Sequence, residues 1–265
     1  MPSDNNYAYL GMYDFPALRP AQDAWWSGLA GHFKRQGFSN ISDNLNRSIT
    51  DPYDIWLAPN LFFAQTCGFP LTHRLAGKVR LLGTPCYAAP GCEGPVYRSL
   101  FIVRSDFSAE KFSNAIPARI AVNSMDSYSG WHSFLKFVES LGIDDDPFNE
   151  KILSGSHANS IDLVREGAAD IAAIDCVTHA LIGDVEPERL LGTRVLDQSL
   201  PAPGLPFITR TDMSDQEARH MVAAIEEAFR DSELAGARRT LRLSDFVFVP
   251  LQDYANAMIK KAAIT

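Results

Sequence analysis

Short apolar runs alternate with segments of helical periodicity along the whole chain, and this alternation is what most limits the fold. Residues 7–12, 54–57, 78–82, 96–103, 119–123, 170–175, 195–196, 207–209 and 246–249 read as strands. Between them, 21–33, 59–67, 131–141, 156–166, 215–230 and 254–261 read as helices. Trp25, Leu29 and Phe33 recur at i, i+4 and i+8, a buried stripe on the first helix. Gly142 and Gly167 follow helical segments where a left-handed residue closes the last turn. No internal repeat is present. Such βα alternation specifies an α/β fold with mixed, mostly parallel sheets. With 265 residues, 46% of them apolar, the chain has ample material for cores without metal or disulfide staples.

Two segments offer themselves as crossings between lobes. One is the strand at 97–103, followed by the polar Arg104-Ser105-Asp106; the other is the Pro- and Gly-rich stretch 200–206. They divide the chain into one lobe of 1–102 plus 205–265 and a second lobe of 103–204. Two hinge crossings between α/β lobes leave a cleft at strand carboxyl ends, where ligands bind in open sheets.

Charge excludes several roles. Asp and Glu total 32 against 24 Lys and Arg, giving a net charge of −8. The densest basic spot is Arg238-Arg239 with Arg242, too little to face a phosphate backbone, so no nucleic acid is expected. The longest uncharged stretch, 55–72, is broken by Pro59, Asn60, Gln65, Gly68 and Pro70, so no direct membrane insertion is expected. The first 18 residues carry no Lys or Arg, so no signal peptide is expected in this chain. Cys67, Cys86, Cys92 and Cys176 have no C-x-x-C spacing, and no metal site or cofactor is expected. Cys86 and Cys92 flank a Pro/Gly turn and could bridge in an oxidising compartment; buried thiols are the plainer reading.

Chemistry concentrates in three places. Asn123-Ser124-Met125-Asp126-Ser127-Tyr128-Ser129-Gly130 lies between a strand and a helix. Its hydroxyls and the first helical amides suit an anion without any cation. They also suit a plain helix cap, which needs only one hydroxyl. Ser154-Gly155-Ser156-His157 repeats the logic at a second helix start, where a neutral His157 retains one N–H donor. Asp175 ends a buried-type strand and either points into the cleft or caps the next helix. In the cleft, its carboxylate would accept a hydrogen bond from a phosphorus anion that keeps a proton and repel sulfate. Tyr13, Tyr53 and Tyr97 are donors at cleft positions or ordinary core residues. Cys176 with His179 could be a thiol nucleophile and base; a buried cysteine accounts for it more simply.

Gly94-Pro95-Val96-Tyr97-Arg98-Ser99, Ser127-Tyr128-Ser129-Gly130, Ser154-Gly155-Ser156-His157 and Gly167-Ala168-Ala169-Asp170 through Asp175 resemble, in order and spacing, the phosphate/phosphite/phosphonate substrate-binding proteins of ABC transporters. The resemblance spans roughly residues 7–230 and points to a signal-less subgroup. It implies a two-lobed type II periplasmic-binding-protein fold and a non-enzymatic solute-binding role. Ser127, Tyr128, Ser129, Ser156, His157, Asp175 and Tyr97 would then hold a small anionic ligand, with Tyr13 a weaker transfer. The family's usual S-T-S-G is Ser-Tyr-Ser-Gly here, a bulky ring in place of a small hydroxyl. An ABC permease is the implied partner, and a monomer or weak dimer the expected state. The periplasm is the implied location, with the cytoplasm as the alternative. An enzyme of the thiamine-pyrimidine-synthase kind and a cytoplasmic ligand sensor are the competing readings of the same fold.

Overall fold

A computed structural model of the chain describes residues 6–143 and 146–258. The strands run, in chain order, β1 (Tyr7–Tyr9), β2 (Leu61–Gln65), β3 (Val79–Tyr87), β4 (Val96–Tyr97), β5 (Ser99–Arg104), β6 (Ala118–Val122), β7 (Phe148–Leu153), β8 (Ile171–Asp175), β9 (Thr193–Gln198), β10 (Ala202–Pro203), β11 (Phe207–Arg210) and β12 (Leu243–Val247). The chain forms two units. The first joins the N-terminal segment through Ala88 to Gly204–Leu251; the second joins Ala89–Pro203 to the segment that begins at Gln252.

The first unit is built on the sheet β1-β2-β11-β3-β12. β1 and β2 are parallel, whereas β11 and β12 add antiparallel. Helix Arg19–Arg35 buries the expected stripe of Trp25, Leu29 and Phe33. Phe33 meets Phe62 of β2 edge-on at 5.1 Å. Helix Asp215–Arg230 has the expected bounds. Its capping box satisfies two first-turn donors: Glu217 N–H donates to Ser214 Oγ at 3.2 Å, and Ser214 N–H donates to Glu217 Oε2 at 2.8 Å.

The second unit is built on the sheet β7-β6-β8-β5-β9. β6 pairs parallel with both β7 and β8, while β5 runs antiparallel to β8 and β9. Both sheets are therefore mixed, with more antiparallel pairing than the alternation predicts, because β5, β11 and β12 enter beside strands of opposite direction. The strand expected at 97–103 as the first crossing is instead an inner strand of this sheet. Its main-chain pairing with β8 and β9 places it in the second unit, and the chain passes between units at 88/89, 203/204 and 251/252.

Two local expectations are overturned. Residues 54–57 are not a strand but the helix Tyr53–Trp56, with Tyr53 N–H donating to Asp51 Oδ1 at 3.0 Å. Residues 59–67 hold β2 rather than a helix. Every residue of β2 is buried, and such a run carries no periodicity to distinguish strand from helix. Two expected strands have other bounds. The strand at 7–12 pairs only as far as Tyr9 before a 3₁₀ turn at Gly11–Tyr13. The strand at 246–249 is β12, which starts at Leu243, ends at Val247 and pairs with β3. The last helix runs Leu251–Ala257, and the remainder of the expected 254–261 helix lies outside the described residues. Among the described residues no helix is long and apolar enough to cross a membrane, and no group of three His, Cys, Asp or Glu could hold a metal.

The core of the second unit is aromatic. Phe101 of β5 stacks on Phe134 of helix Ser133–Ser140 at 4.9 Å with planes 6° apart, and meets Phe112 at 4.9 Å. All three rings are fully buried. Phe101→Ala should therefore cost about 3–5 kcal/mol. Urea unfolding should show a lower midpoint with an unchanged slope. A loss under about 1 kcal/mol would show that the site collapses without a cavity.

Candidate functional site

Three loop ends converge because of strand direction. β7, β6 and β8 are parallel neighbours, so the segments after Val122, Leu153 and Asp175 leave the same edge of the sheet. The antiparallel β5 begins there, with Ser99 opposite Asp175. Ligand sites in open α/β sheets form at such carboxyl edges.

After β6 the chain reaches Ser127, whose Oγ accepts from Gly130 N–H at 3.0 Å. A single wide π-turn, Tyr128–His132, then leads into helix Ser133–Ser140, so the helical stretch begins earlier than the expected 131. Trp131 N–H and His132 N–H both donate to Ser127 O at 3.2 Å. Gly130 is required by close approach: a Cβ there would overlap Asn123 Oδ1 and lie 2.6 Å from Asn123 Cγ. Asn123 Oδ1 is buried with no hydrogen-bond partner.

After β7, Gly155 takes a left-handed φ of +81°, and Ser156 caps helix His157–Arg165 by accepting from Asn159 N–H at 3.1 Å. This turn is tied back to β6, where Ser154 N–H donates to Val122 O at 2.9 Å. The two turns meet side chain to side chain. Ser129 Oγ lies 2.9 Å from His157 Nε2, and Ser127 Oγ lies 3.4 Å from Ser129 Oγ. Ser127 and Ser129 are buried.

Burial pushes the His157 imidazole down to about 4. The ring is therefore neutral near pH 7. Assigning its proton to Nδ1 lets Nε2 accept from the Ser129 hydroxyl. A directional chain then runs from Gly130 N–H through Ser127 and Ser129 to His157. No Lys or Arg side chain belongs to it.

Asp175 follows the plainer of its two sequence readings in one respect. Its Oδ1 accepts from Val177 N–H at 2.7 Å and Thr178 N–H at 3.0 Å, capping helix Cys176–Val185. The carboxylate is 2% exposed and lies at the shared edge. Tyr97 and Tyr128 are both buried, with ring centroids 6.4 Å apart. The ring that replaces the family's small hydroxyl at 128 is thus an interior wall beside Tyr97. Ser127, Tyr128, Ser129, Ser156, His157, Asp175 and Tyr97 accordingly all belong to the second unit.

Tyr13 belongs to the first unit, edge-on to Tyr87 at 5.2 Å, and is not among the residues this sheet edge assembles. Tyr53 is a core residue under the Arg74 guanidinium. Trp25, Trp26, Trp56 and Trp131 are core, as expected.

Two residues inside the quoted motifs were given no role by the sequence. Ser99 Oγ is buried without a partner, directly in register with Asp175. Asn123 Oδ1 is the other. Register and close packing mark them, which the motifs alone do not encode. The Cys86–Cys92 bridge that the sequence allowed is not formed, and the sulfur beside Cys92 is that of Cys176. Cys176 is 1% exposed, and its hydrogen bond with Cys92, with burial, holds the thiol well above its ordinary range.

The low His157 value predicts a pH dependence. The folded pKa lies below the unfolded 6.5, so between about 4 and 6.5 the unfolded chain holds the extra proton. Stability should fall as pH falls through that window, by up to about 3 kcal/mol. Urea unfolding at about pH 7 and about pH 5 should show a smaller loss in His157→Gln than in the parent. Equal losses would mean that the imidazole titrates normally.

Comparison with known proteins bears on the family and the fold. No curated protein matches the sequence. Among solved structures, the chain is similar to PhnD1 from Prochlorococcus marinus in complex with methylphosphonate, at 12% identity and a TM-score of 0.76 over 96% of both chains. It is similar to XAC2383 from Xanthomonas citri bound to ATP, at 14% identity and 0.69, over 95% of this chain and 96% of that one. It is also similar to a binding-protein component of an ABC phosphonate transporter from Pseudomonas aeruginosa, at 17% identity and 0.67, over 91% and 81%. These likenesses establish the two-lobed periplasmic-binding-protein fold. The family model for the phosphonate periplasmic substrate-binding protein of ABC transporters matches residues 61–254, and the chain belongs to that family.

Proposed function

We propose that the chain binds a small phosphorus oxyanion, namely a phosphonate, phosphite or phosphate, as the solute-binding component of an ABC uptake system. The observation that carries the reading is the 2.9 Å contact between Ser129 Oγ and His157 Nε2, which joins two helix starts at one sheet edge. Ser127 and Ser129 offer hydroxyl donors that can turn toward an anion, and the neutral His157 orients Ser129 without adding a charge. The positive ends of the helices add to them without a counter-cation.

Asp175 selects the ligand. A carboxylate next to an anion is tolerated only when the anion keeps a proton to donate. Hydrogen phosphate, phosphite and a singly protonated phosphonate have one; sulfate has none at neutral pH. The role is binding rather than catalysis, the location the periplasm and the partner a permease, all in keeping with the family.

Thermal shift with methylphosphonate, phosphite, phosphate and sulfate tests the reading. At about 100 times its Kd a ligand should stabilise the chain by about 2.7 kcal/mol, and sulfate should not. Absence of a shift with every phosphorus anion would defeat the proposal. Ser129→Ala should weaken the preferred anion about tenfold, the value of about one hydrogen bond to a charged group. Asp175→Asn keeps a good helix cap and should narrow the gap between phosphorus anions and sulfate. Unchanged selectivity would remove Asp175 from the ligand contact.

A further inference from the structure

Cys92 lies in the turn before β4, and Cys176 opens the helix that follows Asp175. They are 84 positions apart in sequence, yet their sulfurs lie 3.5 Å apart. Main-chain bonds hold both ends. Cys92 N–H donates to Ala89 O at 2.9 Å, and Cys176 N–H donates to Arg98 O at 3.0 Å. Gly91, at φ +98°, lets the turn press on Cys176: a Cβ there would lie 3.0 Å from Cys176 Cβ and 3.2 Å from its sulfur. The sulfurs need to approach by only about 1.5 Å to reach bonding distance. Cys92 is half-buried, so a small reagent reaches it, whereas Cys176 is shielded.

We propose that Cys92 and Cys176 are a redox pair, closed to a disulfide by a small-molecule or protein disulfide oxidant. The Cys92 thiolate attacks one sulfur of the oxidant, forming a mixed disulfide and expelling one oxidant thiolate. With Cys92 held in the mixed disulfide, Cys176 attacks the Cys92 sulfur, passes its proton to the departing sulfur and releases the second oxidant thiol. Two protein thiols give up two protons and two electrons, and the oxidant disulfide becomes two thiols. The order of events follows from exposure: Cys92 is half-buried and within reach of the oxidant, whereas Cys176 is shielded. Cys92 therefore meets the oxidant first, and Cys176 resolves. The closed bridge ties the turn before Tyr97 to the helix start beside Asp175, so oxidation stiffens one corner of the candidate site. Cys67 and Cys86, both buried in the first unit, stand outside this chemistry.

The full chain, incubated with oxidised glutathione, blocked with a maleimide and digested, gives the test by mass spectrometry. The expected product is a Cys92–Cys176 cross-linked peptide lighter by two hydrogens, reversed by dithiothreitol, with Cys67 and Cys86 still reduced. Cys92→Ser, a change in a partly exposed turn, should abolish the cross-link. Recovery of Cys92 and Cys176 as free thiols, a stable glutathione adduct on Cys92, or a cross-link to Cys86 would each overturn the proposal.

Discussion

The main-chain pairing of β6 with parallel neighbours on both sides is the constraint on which the candidate site depends. Parallel strands end at one edge, so the loops after β6, β7 and β8 are delivered together whatever their side chains. Phe101, Phe134 and Phe112 lock helix Ser133–Ser140 onto this sheet from below. The position of Ser129 against His157 is thus a consequence of backbone register and aromatic packing. It is not the result of any strong attraction between the two polar groups, whose hydrogen bond alone contributes about 1 kcal/mol.

The proposed anion site has no Lys or Arg among its named residues. Short polar side chains, helix starts and a neutral imidazole form a chain of hydrogen bonds in a desolvated place. In such surroundings each donor counts for more than it would in water. The same desolvation holds His157 neutral, so it acts through a hydrogen bond rather than a charge. Asp175 is the one ionic group here, and two main-chain N–H groups steady it. On the proposed reading, such a site would distinguish ligands by their protons more than by their total charge. Tyr128 gives the site a rigid wall where a smaller hydroxyl is usual in the family.

Much of this was legible beforehand. The stripe of Trp25, Leu29 and Phe33 and the bounds of helix Asp215–Arg230 follow from helical period and a capping box. The Ser-rich turns announced themselves by strand, hydroxyls and glycine in succession. β2 was not legible. Its five residues are buried on both faces, and a uniformly apolar run looks alike as helix or strand. The strand at 97–103 was recognised as a strand but misplaced as a crossing. Only its hydrogen-bonding partners decide which sheet owns it.

The sequence by itself determined the residue types: hydroxyls and glycines at two helix starts, an Asp at a strand end, aromatic stripes for two cores. Those are local properties, set by capping, turn geometry and periodicity within a few residues. Tertiary structure alone decided that Ser129 meets His157, that Ser99 faces Asp175, and that Cys92 pairs with Cys176 rather than Cys86. Each of those is a contact across tens of residues, and nothing in local propensity encodes which distant strand becomes a neighbour.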